Sequence, residues 1–200
     1  MATVLQELNV EMAAVVEEVE HSLVQVNSYG GGTGAGTIWH PDGLVITNAH
    51  VVRRSPLTVS GIDGRILPAR VLAYDEVNDL AALAIDASGL SPIKLGDSRR
   101  LKVGQLVVAL GNPFGVRGAA TAGVIIGVGP VWPETPGVAR EWVVVNLHLR
   151  PGYSGGPLFD VNGRLVGINT MVTAPDIGMA VPIHVAKKFL NDSLRSQVVA

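Results

Sequence analysis

Between residues 22 and 182 the chain is a series of short runs rich in Val, Ile and Leu, interrupted at close intervals by Gly, Pro, Asn and Asp. No helical spacing of three and four residues survives across that span. Apolar runs of this length bounded by turn residues predict strands, here near 22–27, 35–39, 44–47, 56–60, 65–73, 80–85, 106–110, 119–128, 141–147, 156–160, 164–171 and 178–182. His40-Pro41-Asp42-Gly43, Asp63-Gly64 and Asn162-Gly163 supply turn chemistry between them. Many evenly spaced strands without intervening helices leave an all-β sandwich or barrel. The polar stretch from Gly96 to Arg100 divides the strands into two sets of equal size, and is read as the boundary between two halves.

Helical spacing returns only at the ends. Leu5, Leu8, Met12, Val15, Val16 and Val19 recur every three or four residues, with Glu7, Glu11, Glu17, Glu18 and Glu20 mostly elsewhere on the wheel. An amphipathic helix over 3–20, laid on an apolar surface, follows. A short closing helix is predicted over 183–194, after Pro182, with Val185, Phe189, Leu190 and Leu194 on one side.

Composition narrows the function classes. A chain of 200 residues, 48% hydrophobic and 16% charged, can bury a core and is not a disordered segment. Its formal charge of −2 favours neither a nucleic-acid partner nor a polybasic membrane contact. The absence of cysteine excludes disulfides, thiol catalysis and Cys-based zinc sites. The five histidines show no His-Glu-x-x-His spacing, so neither a metal nor another cofactor is expected. The glycine-rich run from Gly30 to Gly36 lacks the Lys-Ser/Thr of a phosphate loop and reads as a hairpin. No stretch reaches the roughly 20 apolar residues of a membrane span, and no Lys or Arg precedes Arg53, so a basic signal-peptide region is missing. The expectation is a soluble protein, cytoplasmic or exported with its targeting segment removed.

The segment from Arg150 through Gly152-Tyr153-Ser154-Gly155-Gly156 to Pro157 carries the chemistry. A serine with glycines on both sides sits on a tight turn where little crowds its hydroxyl. Two N–H groups converging from such a turn, assigned to Gly152 and Ser154, meet the need of an acyl-transfer site for oxyanion donors. A serine nucleophile needs a base. His50 closes the apolar run Leu44-Val45-Ile46-Thr47-Asn48-Ala49, which places its imidazole at a strand end beside a cleft. Asp79, at the head of Leu80-Ala81-Ala82-Leu83, is the carboxylate for the third place, where it would fix the imidazole tautomer. The order His50, Asp79, Ser154 is that of the chymotrypsin-type triad, and differs from the orders of subtilisin and the α/β-hydrolases. The reading is a serine-type endopeptidase acting through an acyl-enzyme.

With these residues in hand the chain resembles the protease domain of the HtrA (Deg) family of trypsin-like serine proteases over nearly its whole length, without a PDZ domain. Thr47-Asn48-Ala49-His50-Val51-Val52, Asp79-Leu80-Ala81, Leu95-Gly96-Asp97-Ser98, Gly111-Asn112-Pro113-Phe114-Gly115, Gly152 to Leu158, Gly167-Ile168-Asn169-Thr170 and Gly178 to Pro182 carry the likeness. It implies a single domain over 1–200 containing two perpendicular six-stranded barrels, 22–95 and 101–182, with the cleft between them. It further implies cleavage of unfolded or misfolded polypeptides without metal or ATP, a part in protein quality control, and a homo-oligomer, with a trimer as the form to expect. Leu149 is then placed facing the pocket for the residue before the scissile bond, bordered by His148, Thr170 and Met171. Only Asp176 offers a carboxylate nearby, so small or medium aliphatic side chains are the expected occupants. Family members carry asparagine where this chain has Tyr153. That difference leaves open a polypeptide-binding, chaperone-like module whose peptidase activity is latent.

Overall fold

Thr3 starts the first element. Its hydroxyl accepts the Gln6 N–H while the Gln6 side chain accepts the Thr3 N–H, a reciprocal cap that opens helix α1, Val4–Glu20. The computed structural model describes residues 3–30, 32–130, 140–174 and 176–198, and side chains other than those at 171–174 and 194–198. The apolar stripe of α1 is only half used. Val19 is buried, and Met12, Val15 and Val16 rest against the core, whereas Leu5 and Leu8 face outward.

Every predicted strand is present. β1 (Leu23–Ser28), β2 (Gly32–His40), β3 (Leu44–Thr47), β4 (Leu57–Ser60), β5 (Ile66–Asp75) and β6 (Leu80–Ile85) pair antiparallel and close into a barrel in the order β1-β2-β3-β6-β5-β4. Its interior is filled by Val24, Val26, Ile38, Val45, Val59, Leu83 and Ile85, the inward members of alternating runs. β8 (Leu106–Gly111), β9 (Ala119–Pro130), β10 (Glu141–Asn146), β11 (Pro157–Asp160), β12 (Arg164–Ala174) and β13 (Ile177–Pro182) form the second sheet, and the β11–β12 pairing closes it as a six-stranded barrel. A two-residue strand unread in the sequence, β7 (Lys94–Leu95), adds to β12 in parallel. The predicted boundary at 96–100 holds a 3₁₀ turn, Ser98–Arg100, capped by the Asp97 carboxylate on the Arg99 N–H. The fold class is the all-β, trypsin-like pair of barrels.

Helix α2, Ile183–Val198, runs past the predicted end at 194. It buries Ile183, Ala186, Phe189 and Leu190. His184 anchors its first turn: Nδ1 lies 2.8 Å from the buried Ser98 hydroxyl and Nε2 3.1 Å from the Glu141 carboxylate.

The barrels meet along the serine loop. The Ala35 N–H of β2 donates to the Ser154 carbonyl at 2.8 Å, and the Thr37 hydroxyl donates to the Gly155 carbonyl at 3.2 Å. Two main-chain carbonyls of the second barrel are thereby held by a strand of the first. The position of the loop is set by both.

Candidate active site

His50 sits in the 3₁₀ turn Ala49–Val52 that follows β3. That turn forms because Ala49, Val51 and Val52 bury themselves, leaving the imidazole outward with its side chain 37% exposed. Asp79 stands at the head of β6 in the left-handed region, φ 53°, a conformation that aspartate tolerates better than most side chains. The turn before it is held by Asp75, whose carboxylate accepts the Asn78 N–H at 3.0 Å and the Asn78 side-chain amide at 2.7 Å. Because β3 pairs with β6, with Thr47 opposite Ala81, the two sites become neighbours.

The contact between them is closely specified. Asp79 Oδ1 accepts the main-chain N–H of His50 at 3.0 Å, and Oδ2 lies 2.8 Å from His50 Nδ1. A carboxylate can only accept, so Nδ1 carries the proton and Nε2 presents its lone pair. The Thr170 hydroxyl donates to the same Oδ2. Burial pushes the Asp79 pKa up, but the His50 and Thr170 hydrogen bonds outweigh it and hold the group below its ordinary 3.8. Behind the pair, the Asn48 side-chain amide donates to the Asp79 carbonyl at 2.9 Å. The Asn48 amide oxygen is buried without a partner among the described residues.

Ser154 projects from the turn between β10 and β11. Gly152 has φ 110°, and a Cβ there would meet the Asn112 carbonyl at 2.6 Å; Gly155 has φ 86°, and its Cβ would meet the Ala35 carbonyl at 2.1 Å. Both flanking glycines are thus required by close approach as well as by backbone conformation. The Gly152 carbonyl accepts the Asn112 N–H at 2.9 Å, and the Gly155 N–H reaches the Asn169 carbonyl at 2.8 Å. The N–H groups of Gly152 and Ser154 have no acceptor among the described residues. Tyr153, between them, is 5% exposed and sits in the second barrel's apolar cluster. Its N–H donates to the Arg150 carbonyl at 3.1 Å and its carbonyl accepts the Gly156 N–H at 2.9 Å.

The Ser154 hydroxyl donates to the Thr170 carbonyl at 2.9 Å, and no hydrogen bond joins it to His50. Ser154, His50 and Thr170 nevertheless line one cavity of about 310 Å³ with Leu149, Arg150, Pro151, Tyr153 and Asn169. Of the residues expected to border the substrate pocket, Leu149 and Thr170 are there. Leu149 is 4% exposed and presses on Gly178, where a Cβ would lie 2.7 Å from its Cδ1. His148 points elsewhere, pairing with Asp176 at 2.6 Å on the surface. The Met171 side chain lies outside the described residues. Sequence reasoning placed Thr170 only at the substrate pocket and did not single out Asn48; the Asn-Ala-His and Ile-Asn-Thr strings held both, without showing what they touch. Among the described residues no cluster of His, Cys, Asp and Glu is arranged for a metal ion, and no helix is long and apolar enough to cross a membrane.

Residues 34–168 match the family model described as a trypsin-like peptidase domain. A protein of Halomonas elongata, whose name describes it as a DegP-like periplasmic serine endoprotease, is 39% identical over 169 residues, covering 82% of this chain and 35% of its own length. Protease Do-like 1, chloroplastic, of Arabidopsis thaliana is 36% identical over 174 residues, covering 82% of this chain and 40% of its own. A solved HtrA-type protease, AlgW with a decapeptide, superposes with a TM-score of 0.86 at 25% identity, over 92% of this chain and 67% of that one. The chain therefore spans well under half the length of the curated relatives it matches.

Proposed function

Because this chain belongs to the trypsin-like serine proteases, with its relatives in the HtrA branch, we propose that it hydrolyses peptide bonds of unfolded or misfolded polypeptides, with Ser154 as nucleophile, His50 as general base and Asp79 orienting that base. The observation that carries this reading is the two-point grip of Asp79 on His50, through Nδ1 at 2.8 Å and the main-chain N–H at 3.0 Å. That grip selects the tautomer and the ring orientation together.

In this mechanism Ser154 turns from the Thr170 carbonyl towards His50, a rotation about one side-chain bond. Its Oγ attacks the substrate carbonyl carbon while Nε2 of His50 takes the hydroxyl proton. The oxyanion is received by the N–H groups of Gly152 and Ser154, which have no acceptor among the described residues. Collapse breaks the C–N bond, and the imidazolium passes its proton to the leaving amine. Water, deprotonated by the same imidazole, then attacks the acyl-enzyme and frees Ser154. The negative charge of Asp79 stabilises the imidazolium in both halves. With Asp176 engaged by His148 and Leu149 on the wall, the pocket has no carboxylate in its lining among the described residues, and small or medium aliphatic side chains are the preferred occupants. The two barrels serve one cleft, so residues 1–200 act as one domain.

One observation favours a second reading, a polypeptide-binding module with latent activity: the resting Ser154 hydroxyl is held by Thr170 and not by His50. A serine-directed fluorophosphonate separates the two. Rapid labelling of the parent, abolished in Ser154→Ala, supports a competent triad. Binding of an unfolded protein with no labelling and no cleavage overturns it in favour of latency.

A further inference from the structure

A second groove, of about 1090 Å³, lies between the interbarrel segment from Leu95 to Leu106 and the β11–β12 hairpin, and shares no lining residue with the cleft. We propose that it docks an acidic stretch of polypeptide in extended form, a part of the substrate outside the bond to be cut; that last clause rests on the proposed function.

Charge is the first argument. Arg99, Arg100, Lys102 and Arg164 all line the groove and are all exposed. Among the described residues none of these four side chains makes an ion pair or a hydrogen bond. The two carboxylates in the same walls are committed to the backbone: Asp97 accepts the Arg99 N–H at 3.0 Å, and Asp160 accepts the N–H groups of Asn162 at 2.9 Å and Arg164 at 3.0 Å. Cations are thus in local excess on a chain whose overall charge is −2. Arg99 and Arg100 lie on the 3₁₀ turn, Lys102 follows it and Arg164 opens β12, so like charges gather along one groove and no pairing among the described residues offsets their repulsion. An anionic partner relieves it instead.

The second argument is the apolar surface between those charges. Leu95, Leu106 and Val161 are each 41–46% exposed and line the same groove. A bare phosphate polymer has no use for aliphatic side chains. The lining also contains no aromatic ring on which a nucleic-acid base could stack. A peptide alternating carboxylates with aliphatic residues matches both features, because successive side chains of an extended strand point to opposite faces.

The test uses the Ser154→Ala chain and a fluorescein-labelled peptide of alternating Glu and Leu, followed by fluorescence anisotropy. Binding is expected, weakening with added salt, and a Lys–Leu peptide is expected not to bind. Arg100→Glu with Arg164→Glu should reduce affinity at least about tenfold, since reversal replaces attraction by repulsion. Arg99→Ser with Lys102→Ser gives the same direction should the first pair misfold. Equal affinity for parent and both double variants overturns the proposal. So does tighter binding of inorganic polyphosphate or single-stranded DNA than of the Glu–Leu peptide at the same salt. In the Ser154 background the double variants should hydrolyse a short uncharged peptide at the parental rate, and a changed rate overturns the separation of groove from cleft. If Ser154 fails to react with the fluorophosphonate while the Glu–Leu peptide still binds, the proposed function falls and the docking surface stands.

Discussion

Replacing Asp79 by asparagine changes one atom that matters, and the consequence can be worked from the donors around it. Every group aimed at this carboxylate is a donor: the His50 main-chain N–H on Oδ1, the His50 ring on Oδ2, and the Thr170 hydroxyl on Oδ2. Asparagine keeps one oxygen, which can stay on the main-chain N–H. Its amide nitrogen then takes the place of Oδ2 and faces two donors. The threonine hydroxyl can turn and accept. The imidazole can accept only by giving up its Nδ1 proton, which moves the proton to Nε2 and removes the lone pair that Ser154 needs. The expected loss of turnover is about 10⁴-fold, the order found for this change in chymotrypsin-type enzymes, or about 5.4 kcal/mol in activation free energy. One charge-assisted hydrogen bond is lost as well, so stability should fall by about 2 kcal/mol. For a chain of this size that lowers the melting temperature by about 4–8 °C, leaving the variant folded at room temperature. Turnover of one fluorogenic peptide by Asp79→Asn, Asp75→Asn and Asp86→Asn, beside their melting curves, decides the matter. Asp75 is occupied with Asn78 and Asp86 is exposed, so those two should stay within about tenfold of the parent. The assignment fails if Asp79→Asn retains near-parental turnover, or if Asp75→Asn is the dead variant.

Thr170→Val removes one donor to Asp79. Since the carboxyl is held below 3.8 in the folded protein, its contribution is complete above 3.8 and disappears as the pH falls through the lower folded value. The variant should therefore melt below the parent at pH 7, by about 1–2 kcal/mol, with the gap closing in acid and Thr170→Ser largely restoring it; a gap unchanged in acid would count against the linkage. Gly155→Ala must place a Cβ 2.1 Å from the Ala35 carbonyl and 2.2 Å from the Thr47 hydroxyl, whereas the Cβ of Gly64→Ala meets nothing within 4 Å. Urea denaturation should show a loss of about 3 kcal/mol or more for the first and about 1–2 kcal/mol, the left-handed backbone cost alone, for the second. On α1, Val19→Ala should cost about 2 kcal/mol, and Leu5→Ala should stay within about 0.5 kcal/mol. Equal losses at the two positions would mean that the outward half of the stripe is also buried.

Much of this protein was legible before any coordinates. Alternating apolar runs and Gly, Asn and Asp turns located the strands, because both signals are local: the pleat has a period of two, and left-handed turns admit few residue types. β7 escaped because Lys94–Leu95 is too short to show a period and exists only through its pairing with β12. The stripe of α1 likewise told which side is apolar but not what covers it: Met12, Val15, Val16 and Val19 meet this chain's own core, whereas Leu5 and Leu8 face outward from it. At the candidate site, residue types and their order nominated His50, Asp79 and Ser154. What each side chain touches was decided only by the meeting of segments distant in sequence. Thr170 reaches Asp79 across 91 positions, and β2 of one barrel grips the Ser154 carbonyl of the other. A hydrogen bond between such segments depends on where two barrels come to rest, and that is the sum of many apolar contacts with no signature at either residue.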